Sequence, residues 1–314
     1  MPGQRAVGAA RECRRHHQRV MPPPPASAVV QLRVTKVMTD AAIAKRAGTY
    51  IDASTVRLVP GSFEAYAPDG SFVVGVYRNA ITPATSRGLE AGLGRAAMSS
   101  TLRGQAAGPL RASDLPRGAT RLTPWSYSDG SAYKRSKSVR SGAVGYRRGK
   151  PTYWTKTHPQ ELAALLPFLR RVSAALKRLR PAEYAAQLEA ARGSMTLDGT
   201  VFSTLAVNRN FRTGVHIDGR DYPGSVGCMV VLGDDSFAGG ELLFPQYGLG
   251  VDVRVGDIII FDSFAYHCNG AITANGDARL TVVLYLHTSA KGGAAAKGAA
   301  KKTAAPPAVM PPSR

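Results

Sequence analysis

The chain has 314 residues, enough for one large domain or one domain with tails, and it carries a formal charge of +20 at pH 7. No apolar run approaches the roughly 20 residues of a membrane-crossing helix, so a membrane is not among the expected partners. Three cysteines, Cys13, Cys228 and Cys268, form no CxxC pair and exclude a disulfide framework, which points to a reducing intracellular compartment.

Residues 1–28 begin Arg-rich and end in Pro22–Pro25, a composition that cannot build a core; the expectation is a disordered basic arm, either DNA-contacting or a transit peptide. Residues 29–81 hold recurrent apolar runs and a hairpin signal at Pro68-Asp69-Gly70, and are expected to flank the core. Residues 82–120, rich in Gly, Ala, Ser and Arg, read as a mobile loop.

Residues 121–200 combine a basic aromatic segment with a helical brace. Between 87 and 180 there are 19 basic and four acidic side chains, whereas 201–290 hold five Arg and nine acids, so the charge lies just ahead of the expected core. Such an excess calls for a polyanionic partner. Within it Arg140, Tyr146, Arg147, Arg148, Lys150 and Trp154 interleave cations with aromatics. Cations bind phosphates and rings stack on unpaired bases, so these six are read as nucleic-acid contacts; the competing reading is a basic loop that serves solubility. Leu162, Leu165, Leu166, Leu169, Val172, Leu176 and Leu179 recur at helical spacing after Pro159, with Thr157 as the expected cap and Pro167 expected to kink or shorten the helix. A second helix opens at Pro181 and ends near Gly193.

Residues 201–288 read as short strands with turns between them: Val201–Val207, Val226–Leu232, Gly239–Phe244, Val251–Val255, Ile258–Phe261 and Arg279–His287. That pattern predicts an α+β protein whose core is a double-stranded β-helix, or jelly roll, braced by helices between disordered basic termini. Its mouth can gather ligands from several strands. His216 and Asp218, at i and i+2, project from one face of a strand, and His267 follows 49 residues after Asp218. Together they make a 2-His-1-carboxylate triad suited to Fe(II), which leaves three coordination positions for a co-substrate, O2 and chemistry. On the last strand Arg279, Thr281 and His287 share a face. If that face lines the barrel, Arg279 pairs with a carboxylate and Thr281 adds a hydroxyl; His287 is equally a rim residue or a solvated strand end. Residues 289–314 read as a second disordered basic tail.

Arg140–Tyr146, Thr157-His158-Pro159, the brace, Val207–Asp218, Asp221 and Gly239–Leu242 together resemble the TET/JBP oxygenases, in particular their compact algal and fungal branch, over roughly residues 120–288. Those enzymes oxidise the methyl group of 5-methylcytosine or thymine in nucleic acid with Fe(II) and 2-oxoglutarate. An algal member uses L-ascorbate to attach a glyceryl group to the methyl carbon. The resemblance implies His216, Asp218 and His267 as iron ligands, Arg279 on the far carboxylate of 2-oxoglutarate, Arg212 as an aid to the co-substrate, and His287 as a base contact. It gives Asp221 one of two roles, accepting from the exocyclic amine of a flipped cytosine or contacting ascorbate. It further implies DNA containing 5-methylcytosine as partner, with a thymine or RNA base as the alternative substrate; a monomer is expected, in the nucleus, or in an organelle if the Arg-rich arm is a transit peptide. Two other readings stand beside it: a jelly-roll oxygenase of small molecules or protein side chains, and a non-catalytic nucleic-acid-binding module.

Overall fold

The computed structural model describes residues 29–82, 88–97, 140–147, 149–233, 236–274 and 279–288. The terminal arms, residues 98–139, Arg148 and the side chain of Arg140 lie outside them, and with them the expectations placed there.

Two sheets form the jelly roll. The larger has nine strands in the order β1-β3-β4-β12-β8-β15-β7-β5-β6, and the smaller has four in the order β13-β10-β11-β2. The major-sheet strands are β1 (Val30–Arg33), β3 (Phe63–Tyr66), β4 (Phe72–Tyr77), β5 (Arg140–Arg147), β6 (Lys150–Pro151), β7 (Thr204–Arg209), β8 (Val226–Leu232), β12 (Ile258–Asp262) and β15 (Leu280–Tyr285). The minor-sheet strands are β2 (Arg57–Val59), β10 (Leu242–Phe244), β11 (Leu249–Val251) and β13 (Cys268–Asn269), while β9 (Phe237–Gly239) and β14 (Ile272–Ala274) pair as a separate ribbon. All ladders are antiparallel except β1 with β3 and β2 with β11.

Burial follows from side-chain alternation. All seven residues of β8 are buried, because helices cover one face of the large sheet and the small sheet covers the other. Along β15, Leu280, Val282 and Leu284 join the core beneath the helices, whereas Val283 packs into the core between the sheets. Thr281 shares the parity of Val283 and is buried. At the end of β5, Gly145 has φ +105°, and a Cβ there would sit 2.3 Å from the Ser203 carbonyl oxygen. Only glycine lets β5 close on β7 at that point.

The 29–81 segment enters the major sheet itself. Its hairpin turns at Pro68-Asp69-Gly70 as the sequence predicts, and β4 then pairs with β12. Within 82–120 a helix runs Glu90–Ala97, with Leu93, Ala96 and Ala97 buried against the helix-side core. That helix corrects the expectation of a loop for those eight residues, whose buried positions recur at i, i+3 and i+4.

The brace comprises helices at Tyr153–Thr157, Pro159–Leu179 and Pro181–Ala191. Leu165, Phe168, Leu169, Val172 and Leu176 supply the buried face of the long one. His158, not Thr157, is its N-cap residue, because Thr157 closes the short helix before it and its hydroxyl donates to the Tyr153 carbonyl at 2.9 Å. The helix also runs through Pro167. The proline deletes one hydrogen bond to the carbonyl of Ala163, and both residues lie on the exposed face where water replaces it.

Arg180, between the two long helices, fastens the brace to the sheet. Its guanidinium lies 3.1 Å from Glu64, whose carboxylate accepts from Gln31 (2.8 Å), Tyr66 (2.6 Å) and Tyr77 (2.5 Å). Burial alone pushes the Glu64 pKa up, but these donors and Arg180 outweigh it and hold it below the ordinary carboxylate range. Glu64→Ala is therefore expected to destabilise the fold by about 1–3 kcal/mol in urea unfolding, since it leaves the Tyr66 and Tyr77 hydroxyls without their acceptor, while Arg180 keeps its ion pair with Glu183. A depressed folded pKa gives stability present in full above the unfolded value of about 4.3 and lost as pH falls through the lower folded one. Glu64→Gln should flatten that acid limb.

Candidate metal centre and active site

His216 and His267 face each other across an isolated antiparallel bridge, with His216 N to His267 O at 3.0 Å and His267 N to His216 O at 2.9 Å. The His-x-Asp segment is thus not a regular strand, which corrects the sequence-based premise. A single bridge and a bond from Asp218 N to Ser263 O (2.8 Å) bring the three ligands together instead. Each imidazole is oriented by its own backbone: His216 Nδ1 lies 2.8 Å from Gly214 O, and His267 Nδ1 lies 2.8 Å from Ala265 O. Donation to those carbonyls fixes the proton on Nδ1 and leaves both Nε2 lone pairs for a metal. The Nε2 atoms lie 3.6 and 3.5 Å from the two carboxylate oxygens of Asp218.

Among the described residues these three form a group whose ligand atoms all fall within 4.8 Å of one another. The donor set, two neutral nitrogens and one carboxylate, fits Fe(II) with open positions. Phe261 and Phe244 flank His267, with ring centroids 5.1 and 6.3 Å away, and keep water from that side. Burial pushes the His267 pKa down, but the Asp218 carboxylate and the Ala265 carbonyl more than reverse it, so the spot favours positive charge.

Arg279 lies immediately before β15 and is fully buried. Asn210 holds its backbone, its Oδ1 accepting from Arg279 N (2.9 Å) and its N donating to Arg279 O (3.0 Å). The guanidinium donates to Gly240 O at 2.8 Å, lies 5.7 Å from the Phe237 ring centroid, and leaves Nε without a partner. Burial lowers its pKa to about 10, against the pull of Glu241. A desolvated cation with spare donors, beside a buried Thr281 hydroxyl, fits the carboxylate of a dianionic co-substrate. Gly240, at φ +74°, makes room for it, because a Cβ there would meet Arg279 Nε at 2.6 Å. The sequence offered a signal in the Gly239-Gly240 pair but no role for it.

Asp221 is buried and bridged to His287. Burial first, then the charge of Asp218, raises its pKa well above the usual range against the pull of the neighbouring Ser263 hydroxyl, which stops short of a well-formed hydrogen bond and leaves Oδ2 without a partner. His287 is buried too, its N donating to Ser203 Oγ at 2.9 Å, which removes the reading of a solvated strand end. Arg212 stacks over Tyr50 at 4.4 Å and donates to Ile51 O at 3.0 Å, tying the metal loop to the N-terminal segment.

The residues read as nucleic-acid contacts occupy different environments. Lys150 is exposed, as a phosphate contact requires. Trp154 is 2% exposed and stacks on His158 at 5.1 Å within the helix-side core, so it is no platform for a base. Its neighbour Tyr153, at the start of the short helix, is 77% exposed. Tyr146 packs against the same core, and Arg147 turns onto Tyr285, a contact the sequence did not reveal.

Residues 123–288 match the Tet_JBP model, the oxygenase domain of the 2OGFeDO superfamily. The chain belongs to this family. Membership makes Fe(II) and 2-oxoglutarate its cofactors, in keeping with the triad and with Arg279. Thymine dioxygenase JBP1 of Crithidia fasciculata is 32% identical over 166 residues, covering 49% of this chain and 20% of the relative. Its counterpart in Leishmania infantum is 33% identical over 162 residues, covering 48% and 20%. The matched region therefore spans about a fifth of the length of these relatives. The solved structure of NgTET1 in complex with 5mC DNA superposes with a TM-score of 0.51 at 13% identity, covering 86% of this chain and 90% of that one, a likeness of fold.

Proposed function

We propose that this oxygenase oxidises the methyl group of 5-methylcytosine in DNA, with 2-oxoglutarate as co-substrate, acting as a monomer in the nucleus. The observation that carries the reading is Asp221. A buried carboxylate with an unpaired oxygen, bridged to a buried histidine and one turn of chain from a metal ligand, is costly unless a ligand completes it. The exocyclic amine of cytosine is such a donor. A methyl group inside a duplex cannot reach a barrel mouth, so the nucleotide must be extruded first.

His216, Asp218 and His267 would hold the iron, which would supply oxygen activation, with 2-oxoglutarate as the two-electron reductant for inserting one oxygen atom of O2 into the methyl C–H bond. The chain's own residues do the rest. Arg279 and Thr281 hold the co-substrate carboxylate, Asp221 and His287 hold the base, and Phe244 and Phe261 exclude water around His267. Arg279 favours 2-oxoglutarate over ascorbate, since a buried guanidinium gains most from a full carboxylate.

The names of the relatives support a second reading, in which thymine is the base. Mass spectrometry of matched 5-methylcytosine and thymine duplexes, incubated with 2-oxoglutarate or with ascorbate, separates these. Hydroxymethylcytosine made with 2-oxoglutarate is expected. Hydroxymethyluracil from the thymine duplex transfers the proposal to that base, a glyceryl adduct formed with ascorbate replaces the co-substrate, and no product from any pair overturns the reading. DNA affinity should also fall steeply with salt, each neutralised phosphate adding about 0.9 to the slope of log K against log salt. A flat salt dependence would remove the basic segment from the DNA surface.

A further inference from the structure

Arg147 is placed differently from exposed Lys150 and Lys156, the other described cations of the basic segment. The end of β5 that carries it is locked to the site: Tyr146 N donates to Ser203 O (2.7 Å), Thr204 Oγ1 donates to Tyr146 O (2.7 Å), and Ser203 Oγ in turn accepts from His287 N (2.9 Å). The Arg147 guanidinium lies 6.0 Å from the Tyr285 ring centroid and donates to the Tyr285 hydroxyl. The Tyr285 ring sits 6.4 Å from that of His287, and His287 is bridged to Asp221.

Two orphaned atoms lie at the ends of this chain of contacts. Arg147 Nε is a buried donor without a partner, and Asp221 Oδ2 is a buried acceptor without one. A phosphate contact would hold its guanidinium in water, as exposed Lys150 holds its ammonium. The Watson–Crick edge of cytosine presents the amine N4 as donor next to the acceptor N3. An unpaired carboxylate oxygen and an unpaired guanidinium N–H complement that edge.

We propose that Arg147 is a specificity residue of the base pocket, donating to the ring acceptor of the flipped base while Asp221 accepts from its amine, and held in place by Tyr285. This rests on the DNA-base reading above and assigns Arg147 to the base instead of the phosphate backbone. Its planar fork, not its charge alone, is what the role requires.

The test is binding of the iron-loaded protein with 2-oxoglutarate, under anaerobic conditions, to a duplex carrying one 5-methylcytosine and to the same duplex with an abasic site there. Affinities are taken across a salt series for wild type, Arg147→Lys, Arg147→Gln and Lys150→Gln. Wild type should prefer the base-bearing duplex, and both Arg147 variants should lose about ten- to hundredfold of that preference, as expected for a hydrogen bond to a charged group. Arg147→Lys should keep the wild-type salt slope, whereas Lys150→Gln should lower the slope by about 0.9 and leave the preference intact. Either of two results overturns the proposal: wild type without the preference, or Arg147→Lys retaining it in full. Failure of the methyl-oxidation reading looks different, as an intact preference with no modified base formed when O2 is admitted.

Discussion

Asp218→Ala is expected to bind Fe(II) more than about a hundredfold more weakly than wild type, because loss of a ligand must exceed the 10–100-fold cost of losing a group that merely orients one. Methyl oxidation should vanish with the metal. The fold should persist. Asp218 is part-exposed, and its backbone bond to Ser263 O survives the substitution, so unfolding of the metal-free variant should shift by about 0.5 kcal/mol or less. His216→Ala should lose iron equally but cost more stability, since it empties a buried position. Metal analysis and thermal unfolding with and without Fe(II) check both: wild type should gain stability with added Fe(II) by mass action, and neither variant should. Iron retained by Asp218→Ala at wild-type affinity would mean that the three side chains are not the metal site.

The candidate triad was legible because a 2-His-1-carboxylate set is compositional: three residue types at a recognisable spacing suffice, and the structure brings them together. The route to their convergence was not. Alternation along a strand predicts a shared face for His216 and Asp218, yet the structure reaches the same result through one bridge to His267 and one bond to Ser263. Strands such as Val226–Leu232 and Ile258–Phe261 were readable because they are buried on both faces and therefore uniformly apolar. Glycine-adjacent elements were less so: Gly239–Phe244 reads as one strand but is split between two sheets, since the positive φ of Gly239 and Gly240 turns the chain. Trp154 shows the limit of composition, for aromatics interleaved with cations describe both a base-stacking surface and a helix whose apolar side is in the core. Only tertiary packing separates them. Arg147 on Tyr285 joins residues 138 positions apart and has no local signature.

Arg279→Met should separate co-substrate binding from stability. In the structure Arg279 is completely enclosed, its guanidinium bonded to Gly240 O and its backbone to Asn210, and no carboxylate among the described residues forms an ion pair with it. With a pKa of about 10 it stays charged at neutral pH, so the protein carries the desolvation cost of a cation whose proposed counter-ion is the ligand. Removing a buried charge of this kind is neutral or stabilising by about 1–4 kcal/mol when the replacement packs well. Its loss from the complex should weaken 2-oxoglutarate by about 2–5 kcal/mol, roughly 30- to 5,000-fold. The expected pattern is thus an unchanged or higher unfolding temperature without ligand, an abolished rise on adding 2-oxoglutarate, and intact Fe(II) binding. Gly240→Ala should give a milder version, since its Cβ would press on Arg279 Nε from 2.6 Å and displace the guanidinium without removing it. A merely structural Arg279 predicts the opposite: its loss would lower stability and leave the KM for 2-oxoglutarate where it was.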